Sequence, residues 1–263
     1  MNGITWALLG TLFTFSVTSL GALNVFWVKK EVSSSVQCAF LGFAGGVMIA
    51  ASVWSLLLPG IDRAEENGQI GWLVISGGFL LGVGTLLAAD AAMKRCYMRK
   101  LASGKLSSLK QSTLMLIMAI TIHNIPEGMA VGLAFSLALS DPGNPALFSG
   151  AVALAVGIGI QNYPEGTAVA LPLLKDGMSK KKAFFYGSMS AAVEPVFGVL
   201  AALTATFVSP LMPLLLAFAA GTMIYVVIQE LMPEAQMCEG DKTATLGFVA
   251  GFLVMMILDV SLG

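Results

Sequence analysis

The chain has 263 residues, of which 57% are hydrophobic and only 11% charged, with a formal net charge of -1 at neutral pH. Soluble domains carry about 25% charged residues, so an ordinary water-soluble fold is excluded, and a mean hydropathy of +0.85 points to an integral membrane protein. Nothing in the charge balance calls for a nucleic-acid partner.

A membrane helix needs about 20 mostly apolar residues. Eight stretches qualify in chain order, at residues 4–28, 37–59, 71–93, 112–139, 147–174, 183–208, 211–234 and 244–261. Short polar or Pro/Gly-rich joints separate them, so the expectation is a single all-α transmembrane domain over residues 1–263. The first stretch has no basic leader and is followed by Lys29 and Lys30, which reads as a retained span and not a cleaved signal peptide.

The joints 1–2, 3–4, 5–6 and 7–8 hold two, six, four and one of the 14 Lys and Arg, leaving only Arg63 for the others. Positive charge gathers on the cytoplasmic side, which puts both termini outside. The longest basic joint, residues 94–110, is read as a topology determinant in contact with anionic lipid. Cys38, Cys96 and Cys238 form no CxxC pair, and fall on the cytoplasmic side, as free thiols would.

Spans 4 and 5 carry a repeated motif, "HNIPEGMAVGLAF" from His123 and "QNYPEGTAVALPL" from Gln161. Neighbouring spans run antiparallel, so the copies point in opposite directions. A weaker echo joins span 2, "GGVMIAASVWSLLLPG", to span 7, "AGTMIYVVIQELMPEA". Together they suggest inverted triplets, spans 1–3 and 6–8, around a central 4–5 pair. That 3+2+3 pattern, with helices interrupted at matching places, points to a transporter with a midplane site.

An ionisable side chain near the bilayer centre costs about 2.5–3.5 kcal/mol on insertion scales and is usually functional. The spans hold Asp90, His123, Asn124, Glu127, Gln161, Asn162, Glu165, Glu194, Gln229, Glu230, Glu234 and Asp259. Asp90, Glu234 and Asp259 lie toward span ends, within reach of interfacial water. His123 and Glu127 are four apart and share a helix face, and Gln161 and Glu165 repeat that spacing. Pro126 and Pro164 each remove a backbone donor and free the carbonyls of Ile122 and Ile160. Gly128 and Gly166 allow close helix approach. Carboxylates converging in hydrocarbon repel unless a cation sits among them. An imidazole with carboxylate and amide oxygens suits zinc, manganese, iron or cadmium. On the residues alone, a proton-coupled transporter of another solute and an intramembrane metalloenzyme stay open as alternatives. A single histidine without HExxH makes the enzyme the weaker of the two.

Eight spans, external termini, HNxPEG in span 4, xNxPEG in span 5 and "VEP" in span 6 resemble the ZIP (Zrt/Irt-like protein) family of divalent-metal transporters, most of all its GufA-type subgroup. The resemblance implies a binuclear metal site between spans 4, 5 and 6. His123, Glu127, Gln161 and Glu165 match one position, and Asn124, Asn162, Glu165 and Glu194 the other, with Glu165 bridging. Glu230, with Gln229 and Asp90, matches the cytoplasmic exit route. It further implies a homodimer in a lipid bilayer, expected to be a bacterial inner membrane. The metal, zinc first and then cadmium, iron or manganese, is transported substrate moving into the cytosol, with no cofactor and no enzymatic activity. Many relatives have histidine where Gln161 stands, and their His-rich loop has no counterpart in residues 94–110.

Overall fold

The computed structural model describes residues 2–27, 34–102, 111–207, 209–235 and 242–262, and every regular element among them is helical. Lys29, Lys30, Cys238 and residues 103–110 of the basic joint lie outside the described residues, as does the side chain of Cys96. Span 1 is α1, Gly3–Ala22, opened by Asn2, whose side chain accepts the backbone N–H of Thr5 at 2.9 Å. Span 2 is α2 (Ser34–Ala51), a π-helical turn over Ser52–Leu57, and α3 (Leu58–Glu66). Spans 3, 4 and 5 are α4 (Gly71–Ala102), α5 (Gln111–Ser140) and α6 (Pro145–Lys175). Span 6 comprises α7 (Lys180–Met189) and α8 (Val193–Phe207). Span 7 is α9 (Met212–Val226), a second π turn over Val227–Leu231, and α10 (Met232–Ala235); span 8 is α11 (Thr243–Leu262).

Seven of these runs are long and apolar enough to cross a membrane. The remaining expected stretch, 112–139, is α5, whose 30 residues hold the first motif near their middle. The protein is therefore a multi-pass helical membrane protein.

Three expectations about the backbone change. The sixth stretch, 183–208, is broken: a turn at Ser190–Ala192 ends α7 and lets α8 restart one residue before Glu194. Pro126 and Pro164 stay inside continuous helices. The irregular backbone sits instead in spans 2 and 7, as the two π turns. Each begins six residues after the glycine that opens the echo, Gly46 or Gly221.

Helix packing follows a two-fold exchange of spans 1 with 6, 2 with 7, 3 with 8 and 4 with 5. The α2–α11 pair is matched by α9–α4, α1–α6 by α8–α5, and α2–α6 by α9–α5. The motif glycines seat each central helix on its outer partner. A Cβ on Gly128 would stand 2.4 Å from the Glu194 carbonyl oxygen, and one on Gly166 2.0 Å from that of Thr18. Such separations exist only where no side chain intervenes. These glycines join α5 to α8 and α6 to α1, while α1 also touches α5 and α8.

Cys38 is disulfide-bonded, a correction to the free thiol expected from its position. It packs beside Ala235 and Ala244, where the start of span 2 meets the end of span 7 and the start of span 8. Sequence separation hid that proximity.

Candidate metal centre

The motif residues lie where α1, α5, α6 and α8 meet. Asn124, Glu127, Gln161, Asn162 and Glu194 have no exposed surface; His123 is 3% exposed and Glu165 9%. The i, i+4 spacing works as expected: His123 Nε2 is 3.5 Å from Glu127 Oε1. His123, Glu127 and Glu165 each offer one ligand atom, and those atoms all lie within 4.8 Å of one another.

The first distance is informative. Ligands about 2.0–2.1 Å from a tetrahedral zinc stand roughly 3.4 Å apart, so the His123–Glu127 separation is close to one edge of that polyhedron. The donor set fits too. Glu127 Oε2, Glu165 Oε1, Gln161 Oε1 and Asn124 Oδ1 are buried without a hydrogen-bond partner, although buried polar atoms are normally paired. The carboxylates and imidazole that converge here repel or take up protons without a cation, and with amide oxygens nearby they form a donor set that coordinates one well. Gln161 donates its amide to Glu127 Oε1, tying α6 to α5 across the site.

Glu194 is arranged differently. Its Oε1 accepts the Asn162 amide at 3.0 Å, and its Oε2 accepts the hydroxyl of Thr14 from α1. The carboxylate occupies the first turn of α8, where unpaired backbone N–H groups favour negative charge. It is near enough to Glu165 and Glu127 for their charges to interact. Asn162 also reaches toward the Thr14 carbonyl at 3.4 Å and keeps its Oδ1 unpartnered.

Two cavities flank the centre. Glu165 lines an apolar cleft with Gln37, Phe40, Leu41, Leu171 and Leu231, between the start of span 2 and the end of span 5. Toward the other end, a cavity of about 310 Å³ is lined by Ser55, Asp62, Leu137, Gly150 and Asp259. Asp259 does not reach outward as its terminal position suggests: it is 7% exposed, and Ser55 donates to its Oδ1 at 2.7 Å.

The three residues read as an exit route lie on two elements, the second π turn and α4. Glu230 is half-buried on the second π turn and lies within electrostatic range of Glu165. Gln229 beside it is exposed. Asp90 is half-buried on α4, a helix packed along α9 and α3.

Sequence reasoning missed Thr14 and, with it, the part of span 1 in the site wall. A signal was present. Thr11, Thr14 and Thr18 recur at helical spacing, and all three are fully buried.

A bundle of membrane-crossing helices buries carboxylates and an imidazole between two cavities, so the class is an all-α integral membrane protein with a polar centre. Comparison with known proteins narrows the class. Residues 100–259 match the family model described as ZIP Zinc transporter. The chain is 37% identical to "Zinc transporter ZIP11" of Xenopus tropicalis, over 98% of this chain and 97% of that protein. It is 34% identical to "Zinc transporter GufA" of Myxococcus xanthus, over 97% and 98% respectively. Identity to "Zinc transporter ZIPB" of Bordetella bronchiseptica is 35%, over 99% of this chain and 82% of that one. The chain belongs to the ZIP family, a family of transporters and not of enzymes.

Proposed function

We propose that the protein carries divalent transition metal, zinc first and cadmium, iron or manganese as alternatives, across the membrane into the cytosol. The observation that carries this reading is the buried convergence of His123, Glu127 and Glu165 within 4.8 Å, with carboxylate oxygens left unpartnered. His123, Glu127, Gln161 and Glu165 hold the first ion. Asn124, Asn162 and Glu194 hold a second, with Glu165 shared.

The thirteen-to-one division of Lys and Arg supports an orientation with both termini outside. With both termini outside, the cavity at Asp62 and Asp259 faces out, and the cleft at Glu165 faces the cytosol. Metal bound at Glu165 then leaves along the cleft past Gln37, with Glu230 supplying negative charge at its side. Gln229 and Asp90 contribute further along that route. The protein works in a lipid bilayer, a bacterial inner membrane, as a homodimer. The exposed apolar faces of α4 (Trp72, Leu80, Leu87) and α11 (Leu246, Val260) suit lipid or a second copy.

Uptake of zinc into proteoliposomes tests the site. Glu127→Ala and Glu165→Ala are each expected to remove nearly all of it. Wild-type uptake from both variants would sink the assignment.

A further inference from the structure

Span 1 supplies no metal ligand in this reading, yet it holds one. Glu194 is fully buried, and each of its carboxylate oxygens takes one donor: Asn162 on Oε1 and Thr14 on Oε2. Each oxygen keeps a further lone pair for a metal. A glutamate side chain has three rotatable bonds, so two fixed donors decide where those lone pairs point. Carboxylates that ligate metals are commonly oriented by such outer partners, and losing one costs about 10–100-fold in affinity or activity.

We infer that Thr14 is a positioning residue for the second metal position, its hydroxyl fixing the Glu194 carboxylate from α1. This rests on the two-metal reading above. Thr14 has one hydroxyl proton and two acceptors in range, the Thr11 carbonyl at 3.0 Å and Glu194 Oε2. The charged acceptor forms the stronger bond. The Thr11 carbonyl belongs to the α1 ladder, so removing the hydroxyl leaves the helix backbone satisfied. Thr11 and Thr18 serve as built-in comparisons. They share the buried stripe, but Thr11 donates to Ala7 at 2.7 Å and Leu8 at 3.2 Å, and Thr18 to Thr14 at 3.2 Å, all carbonyls of their own helix.

Zinc titration of the purified full-length chain in detergent, read by calorimetry and by competition with a chelating dye, tests this. The wild type is expected to bind two zinc ions per chain. Thr14→Val, which keeps the shape and removes the hydroxyl, should weaken one of the two by about 10–100-fold. Thr14→Ser should restore it, Thr18→Val should match the wild type, and Glu194→Gln should lose the same ion as Thr14→Val. If Thr14→Val is not recovered folded, Thr14→Ala takes its place. Two wild-type affinities in Thr14→Val, alongside one lost ion in Glu194→Gln, would overturn the role of Thr14 and leave the two-metal site standing. The same loss in Thr14→Ser as in Thr14→Val would also overturn it. Unchanged zinc binding in Glu194→Gln would overturn the two-metal reading itself, and Thr14 with it.

Discussion

Residue by residue, the two motifs differ in what they offer a metal. His123 brings a nitrogen ligand, while Gln161 brings an amide whose nitrogen is already turned to Glu127. Imidazole suits zinc better than an amide oxygen does. Gln161→His is therefore expected to lower the KM for zinc uptake by about tenfold, the equivalent of about 1.4 kcal/mol. The maximal rate should fall as release slows, and initial-rate kinetics in proteoliposomes separate the two effects. An unchanged KM would place Gln161 outside the coordination sphere. The same ligands bind protons in competition with metal. Uptake is therefore expected to weaken as the external pH falls from about 7.5 to 5. The sign follows from mass action: protonation removes the donor lone pair, so fewer chains are competent at low pH. A flat profile across that range would mean that proton competition does not limit uptake.

At the scale of elements, close packing at glycine sets the positions of the central helices. Gly166→Ala would push a Cβ to 2.0 Å from the Thr18 carbonyl, a backbone atom that cannot swing aside. Overpacking of this kind costs about 1–3 kcal/mol, and the variant should melt several degrees lower in detergent. Gly150 lies on the same helix, and a methyl group there would meet nothing within 4 Å, so Gly150→Ala should melt at or above the wild type. Equal melting of the two variants would remove the packing argument. Each apolar stretch falls largely on helical residues, because span length is fixed by the bilayer, and the duplicated motif picked out side chains that the fold brings together. The break before Glu194 was not legible, since Ser190, Ala191 and Ala192 are residues that a continuous helix accepts. Nor were the π turns, because apolar composition carries no mark of one extra residue per turn. The weak echo between spans 2 and 7 did hold their location. It aligns Ser55 of one π turn with Glu230 of the other; Ser55 donates to Asp259, and Glu230 lies within electrostatic range of Glu165.

For the whole molecule, what matters is which way the bundle faces. The distribution of the 14 basic residues argues for external termini, and that orientation turns the Glu165 cleft toward the cytosol, the exit under the proposed function. The disulfide at Cys38 pulls the other way, because it sits at the end assigned to a reducing cytosol, where thiols stay reduced. Site-directed labelling decides between them. Gly143 is in the short turn between α5 and α6, where an added Cβ would make only ordinary contact with Asp141 Oδ1 at 3.5 Å, and Ser179 precedes α7 at the opposite end. Both are exposed. In intact cells, a membrane-impermeant maleimide is expected to label Gly143→Cys above the background of the parent chain, and to label Ser179→Cys only after permeabilisation. The reverse pattern would turn the molecule over. The Asp62–Asp259 cavity would then face the cytosol, the Glu165 cleft would receive metal from outside, and the direction of transport would have to be assigned anew.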